Sequence, residues 1–396
     1  MSEIRPFAAL RFARDPEPRL APPWDVISEE DRARLAREPE SVVHLTLPPG
    51  VEGERDYAGA GDTLRRWLQE GVLVRDPLPR LYLLRERISD GRVRRGLFAL
   101  LRIADYSERV VLPHERTMPA ARRDRMLLTR EVEANLEPLF FLYEDRDAKL
   151  APALDAIEQA ERLAACSGPG GTGLELFATD SEAVLTDVRD FLAERAVVIA
   201  DGHHRYDTML NYRDERRSAA GSAEEAPCDF VLAYLVNAFD PGSEILAIHR
   251  VVRGDAADPI PLLREAGFAV EPQPDAVPVE DLLAALAKRR EPDHAFGIVR
   301  RDGAFLATRP RGDRPDVEVL HEELLPGIGG SVTFDAEAER VVRTVREGEA
   351  SIAILMNPLG AEELFGAVQA GGVLPQKSTY FAPKIPSGLV LRDFSP

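Results

Sequence analysis

The stretch Ala196-Val-Val-Ile-Ala200-Asp201-Gly202-His203-His204-Arg205-Tyr206 holds five apolar residues, then a turn, then a polar run. The apolar segment is too short for a helix and rich in β-branched residues, so it reads as a strand buried on both faces. Asp201-Gly202 supplies the turn, and the periodicity beyond it predicts a helix over Arg205 to Arg217. A strand that ends in a glycine and opens directly into a helix belongs to a mixed α/β fold. At such a junction, backbone N–H groups and the helix dipole converge where an anion can sit. Gly202 permits a backbone conformation or a close ligand approach that a side chain would block. Arg205 offers a planar fork for two phosphate oxygens. His203 and His204 can donate protons or, with Asp201, hold a metal ion. The structural alternative is that Asp201 caps the following helix and neighbours satisfy the histidines.

Outward from this turn, Ser181 to Glu194 reads as a helix. Strands are expected at Pro138–Tyr143, Phe230–Leu235 and Ile245–Val252. Upstream, Ser28 is an N-cap for a helix, and a second helix ends at Gly71. The runs Leu81–Leu84 and Leu97–Leu101 flank an Asp90-Gly91 hairpin signal. A helix spans about Pro119 to Asn135. Beyond Pro259, helices alternate with strands at Ala295–Val299 and Ser351–Met356. The glycine-rich Ser167–Gly173 segment has neither a Walker lysine nor dinucleotide-fingerprint spacing, so it reads as a surface turn. Three regions are expected, 1–150, 151–255 and 256–396, which can also fold as one compact unit.

Bulk properties narrow the function classes. The chain has 396 residues, 44% hydrophobic and 30% charged, an ordinary globular balance. No apolar run approaches the ~20 residues that span a bilayer, and the N-terminus lacks a signal-peptide core, so a cytoplasmic protein without membrane contact is expected. A net charge of -18 opposes DNA binding. Two distant cysteines, Cys166 and Cys228, read as reduced thiols.

Two further clusters carry chemistry. Pro113-His-Glu-Arg-Thr117 offers His114, Glu115 and Thr117 without zincin spacing; Glu115 is either a general base or a capping carboxylate. Near the C-terminus, Lys377, Ser378, Thr379, Tyr380 and Lys384 lie in a proline-bounded loop able to meet phosphate, or else merely solvated. Pro22-Pro-Trp-Asp25 and His249-Arg250 are lesser candidates, with a lone strand histidine such as His249 more often structural.

Taken in order, Ile4-Arg-Pro-Phe, Pro22-Pro-Trp-Asp-Val-Ile27, Pro113-His-Glu-Arg-Thr117, Ala200-Asp-Gly-His-His-Arg-Tyr206 and Lys377-Ser-Thr-Tyr-Phe-Ala-Pro-Lys384 resemble the prokaryotic family called domain of unknown function 1015. Trp24 departs from the tyrosine usual there. The Asp201–Arg205 turn alone is similar to the phosphate-binding signature of the ParB/sulfiredoxin-like superfamily, which includes free serine kinases. That resemblance implies a ParB-like core around residues 190–220. The expected activity is phosphotransfer to a small hydroxyl compound, with free serine favoured and ATP, ADP or pyrophosphate as donor. In that scheme Gly202, Arg205, His203 and His204 hold the phosphate and Asp201 binds Mg²⁺ or orients the nucleophile. Glu115 is the base, and His114, Lys377, Ser378, Thr379 and Lys384 bind donor phosphates, all converging on the turn. The alternatives are a ParB-like nucleotide-binding regulatory protein or a phosphate-ester hydrolase. Oligomeric state is not readable.

Overall fold

The computed structural model describes residues 2–88, 90–115, 119–221, 224–274 and 277–395. The fold is mixed α/β. Its contacts divide the chain into two units, broken near Glu244/Ile245 and Ala382/Pro383. The first unit takes the chain up to Pro113, the stretch running to Glu244, and the tail from Pro383. The second takes His114 and Glu115 together with Ile245–Ala382. This partition differs from one at 150 and 255, because a single sheet draws strands from both sides of residue 150.

That sheet, in the first unit, has nine strands. Its spatial order is Val111–Leu112, Val197–Asp201, Leu139–Tyr143, Phe230–Asn237, Val93–Arg102, Leu81–Arg87, Gly173–Thr179 and Glu161–Ser167, with Ile4–Arg5 added beside Val93–Arg102. Val197–Asp201 runs parallel to Val111–Leu112 and antiparallel to Leu139–Tyr143, which is itself parallel to Phe230–Asn237. Being central, Leu139–Tyr143 is buried throughout, as its unbroken apolar run requires. The strands Leu81–Arg87 and Val93–Arg102 form the hairpin expected around Asp90-Gly91. The Ser167–Gly173 segment is a second hairpin turn, and its first strand, Glu161–Ser167, has no apolar alternation in the sequence. It is an edge strand, largely exposed or half-buried, so the ladder rather than the side chains holds it.

A second apolar cluster in this unit gathers Trp67, Leu64, Leu128 and Leu391. Leu391 belongs to the C-terminal tail. The tail bridges Leu10 and pairs Arg392–Asp393 with Ala134–Asn135. The second unit is built on a six-stranded sheet, antiparallel at every pairing among the described residues, ordered Ala269–Pro272, Gly303–Pro310, Asp293–Arg300, Ile352–Met356, His249–Arg253 and Ser331–Asp335. The helices Val279–Ala287 and Ala338–Arg346 supply Leu282, Leu286, Val341, Val342 and Val345 to its core. The run expected as one strand over Ile245–Val252 is two, Glu244–Leu246 and His249–Arg253. Buried His249 accepts from the Met356 N–H at 3.1 Å, and burial pushes its pKa down to about 4. It is a core histidine.

One buried polar group in the first unit ties its sheet to its tail. Arg94, 1% exposed, gives Glu86 two hydrogen bonds of 2.6 and 2.8 Å and a third, of 2.6 Å, to the Pro383 carbonyl. Tyr234 donates to the same Glu86 carboxylate. Removing one partner of such a pair strands a buried charge at a cost of about 3–5 kcal/mol, while replacing both by apolar residues costs far less. Glu86→Leu should therefore destabilise the protein by about that amount in urea unfolding, and Glu86→Leu/Arg94→Met should recover most of it. Equal losses in the two variants would mean that packing, and not the charge, sets the cost.

Candidate functional site

The strand Val197–Asp201 delivers Asp201 to the sheet's end, and Gly202 turns the chain with φ +98°. A Cβ at Gly202 would stand 2.6 Å from Leu139 Cδ2 and 3.0 Å from the Arg205 guanidinium, so glycine is needed for space as well as conformation. The helix His203–Ala220 starts immediately, and no side chain caps its N-terminus. Fully buried Tyr206 pins the first turn, exchanging hydrogen bonds with Ala104 N–H (3.0 Å) and carbonyl (2.7 Å).

Around this junction the first unit collects charges from four distant stretches of sequence. Arg205 donates to the Pro138 carbonyl at 2.7 Å and to Asp201 Oδ2 at 2.9 Å, and lies 3.8 Å from Glu137 Oε2. Lys384 Nζ pairs with Asp201 Oδ1. Glu137 Oε1 accepts from the Trp24 backbone N–H (3.0 Å) and the Ser387 hydroxyl (2.7 Å). An Ala21–Ser387 bridge closes the ring, and the Arg125 guanidinium stacks 4.1 Å above Trp24. Asp25 thereby stands in the field of Asp201, Glu137, Lys384 and Arg205.

The two aspartates respond oppositely. Burial works against the Asp201 charge, but Lys384, then Arg205 and His203, overcome it and hold Asp201 well below the usual carboxylate range. Asp25 is exposed to solvent, with protein close on its other sides. That desolvation, reinforced by the Asp201 charge, raises its pKa despite the two cations. Beside the cluster, a cavity of about 470 Å³ is lined by Glu137, Arg205, Arg125, Asn135, Thr208 and apolar residues including Leu139.

The residues expected in one composite site belong to two units. Asp201, Gly202, His203, Arg205 and Lys384 gather in the first, with His204 on the same helical turn. His114, Glu115, Lys377, Ser378 and Thr379 belong to the second. There His114 Nε2 meets Thr379 Oγ1 at 2.8 Å, and Glu115 bridges Leu374 in parallel. The Ser378 hydroxyl donates to the Pro375 carbonyl, and Lys377 adopts φ +57°. Thr117 lies outside the described residues. Asp124 accepts from Tyr57, from Gly53 N–H and from Arg125, and so is a buried structural anion. Asp201 does not fit the expected Mg²⁺: its two oxygens already face Lys384 and Arg205, and among the described residues no three metal-ligating side chains cluster. Arg205 likewise spends its fork on Pro138 and Asp201. Sequence reading passed over Glu137 and Ser387 and ranked Asp25 low. The usable signal was Glu137 itself, a lone charge inside Leu136-Glu-Pro-Leu-Phe-Phe141, since such charges are buried only when paired.

A family model described as "Protein of unknown function (DUF1015)" matches residues 4–326. The chain belongs to that family. No curated protein matches the sequence of this DUF1015 member. Among solved structures it is similar to a free serine kinase in complex with AMP, at 14% identity and TM-score 0.38, covering 72% of this chain and 87% of the other. A conserved hypothetical protein from Pyrococcus furiosus matches at 16% identity and TM-score 0.36, covering 74% and 93% of the two chains. C-terminally truncated SbnI from Staphylococcus aureus matches at 11% identity and TM-score 0.38, covering 74% and 86%. Likenesses this low establish no chemistry for the DUF1015 chain. No described helix is long and apolar enough to cross a membrane.

The raised Asp25 pKa makes a stability prediction. Charging this carboxyl costs the folded state more than the unfolded chain, so its contribution is unfavourable at neutral pH. The penalty vanishes as pH falls below the ordinary value of 3.8, where both states are protonated. Thermal melts should show Asp25→Asn more stable than the parent at pH 7–8, with the gain fading toward pH 3. A variant less stable at pH 8 would mean the Asp25 charge is stabilised by its surroundings.

Proposed function

We propose that the first unit's charged cluster is the active site of a phosphotransferase acting on a small hydroxyl compound that carries an amine, free serine being favoured. What supports this reading is the gathering of Asp25, Glu137, Asp201, Lys384 and Arg205 at an uncapped helix N-terminus, with Asp201 held ionised by its two cations. Groups whose environments drive their pKa values apart are suited to separate roles. Asp201 stays ionised and holds Lys384 and Arg205 in place. Asp25, reachable by solvent and poised above its ordinary pKa, takes the proton of the attacking hydroxyl. It is preferred to Glu115 as the base because it stands in the field of Asp201, Lys384 and Arg205.

Charge balance favours the amine. Asp25, Glu137 and Asp201 face two fixed cations, Lys384 and Arg205, so a substrate ammonium would complete the neutralisation. The transferred phosphate would lie against the Gly202–His204 turn, where the helix dipole and backbone amides favour it. A nucleotide or pyrophosphate is the donor under this reading. Phosphoryl transfer asks mainly for such positioning and charge stabilisation.

A phosphorus NMR screen with Mg²⁺, ATP, ADP or pyrophosphate, and pooled amino acids and polyols, tests the proposal: a new phosphomonoester should appear, dependent on an amino-alcohol acceptor. Asp25→Asn should lower kcat by about 10²–10⁴ with donor affinity within a few-fold. Lys384→Met should move the pKa of the acidic limb, where activity rises with pH, upward, because Lys384 lowers the Asp25 pKa. Free phosphate without an acceptor product would make the protein a hydrolase. Tight nucleotide binding with no turnover would make it a regulator.

A further inference from the structure

We propose that the second unit carries its own anion site, a pocket around Arg250 that takes the phosphate of a small phosphomonoester. This does not rest on the phosphotransfer reading. The pocket, of about 370 Å³, lies entirely within that unit and is lined by Arg250, Arg290, Arg311, Ser378 and Asn357 among others. Arg250 projects from the strand His249–Arg253 and is 1% exposed.

Its hydrogen bonds all go to neutral groups. They reach the Ile248 carbonyl, the Lys377 carbonyl at 3.2 Å and the His321 ring nitrogen at 3.0 Å, with the Phe334 ring 5.4 Å away. Burial, then the Arg250 charge, pushes His321 down to about 4, so this ring is a neutral acceptor at physiological pH. Among the described residues no carboxylate forms an ion pair with Arg250, and burial pushes its own pKa down to about 9. Arg94 has Glu86 and Arg125 has Asp124, whereas buried Arg392, like Arg250, bonds to neutral acceptors (Asn135 and the Phe230 and Pro227 carbonyls) but does not line this pocket. A buried guanidinium without an anion is a standing cost, removed when an anion enters.

The rest of the pocket suits a phosphate ester. Arg290 and Arg311 share Glu363, whose carboxylate also accepts from Gly360 N–H at 2.8 Å. Asp316, also on the wall, takes His294 Nδ1 at 2.8 Å and lies 3.8 Å from Arg311. Three guanidiniums therefore face two carboxylates, both already engaged, which leaves a positive excess centred on Arg250. Ile248, Val317, Met356 and Leu359 offer apolar wall for an organic remainder beside the phosphate.

Hydrogen exchange of the full chain with inorganic phosphate as probe, and acetate as control, reads the site locally. Phosphate should saturably protect the segments 357–360 and 377–379, with acetate giving little protection. Arg250→Met should weaken that protection by about tenfold or more, the worth of one charge-assisted contact, while melting at least as high as the parent without phosphate. Arg290→Gln, at a half-exposed position that leaves folding intact, should weaken it several-fold. Protection unchanged in both variants would make Arg250 a structural arginine and overturn the proposal. Equal protection by acetate would overturn the phosphate assignment.

Discussion

Everything in the first unit's site depends on one ion pair, Lys384 with Asp201, joining residues 183 positions apart. Asp201 comes from the sheet's interior and Lys384 from the final stretch of chain, so the pair forms only if the tail is held. Three restraints hold it: buried Leu389, Val390 and Leu391, the bridge from Ser387 to Ala21, and the hydrogen bond from Arg94 to the Pro383 carbonyl. The last restraint connects the tail to a buried ion pair in the middle of the sheet. Fold stability and site geometry therefore share the same residues.

The pair also sets the electrostatics. Without Lys384, Asp201 would be a desolvated anion beside Glu137 and Asp25, with Arg205 its remaining fixed counter-charge. With it, Asp201 is locked in the ionised form, and the strain passes to Asp25, the carboxyl that solvent can reach. Arg94 and Arg125 are matched by carboxylates in the same way, while Arg250 and Arg392 bond to neutral groups and, of these two, Arg250 lines the second unit's pocket.

The sequence was most legible where one physical rule acted alone. The apolar run Val197–Ala200, the glycine turn and the following helix were readable from pattern, as were the hairpin at Asp90-Gly91 and the Ser28 cap, which accepts from Asp31 N–H at 3.1 Å. The strand Glu161–Ser167 was not, because an edge strand held by its ladder needs no apolar alternation. Among site residues, Asp201, Gly202 and Arg205 announced themselves by local density of chemistry. Lys384 was expected at the turn and is there; His114, Glu115 and Lys377, expected with it, belong to the other unit. Nothing local to Lys-Ser-Thr-Tyr-Phe-Ala-Pro-Lys384 shows that the chain changes unit between Ala382 and Pro383. Glu137 and Ser387 act through tertiary pairing, which residue type and spacing do not encode.

Carbon-13 NMR titration of the aspartate side-chain carboxyls, in the parent protein and in Lys384→Met, tests the central claim most directly. The account predicts that Asp25 titrates above 3.8 and that Asp201 stays ionised to well below it in the parent. Loss of Lys384 should raise both pKa values, since that cation lowers each of them. Two aspartates titrating together near 3.8, unmoved by the substitution, would contradict it.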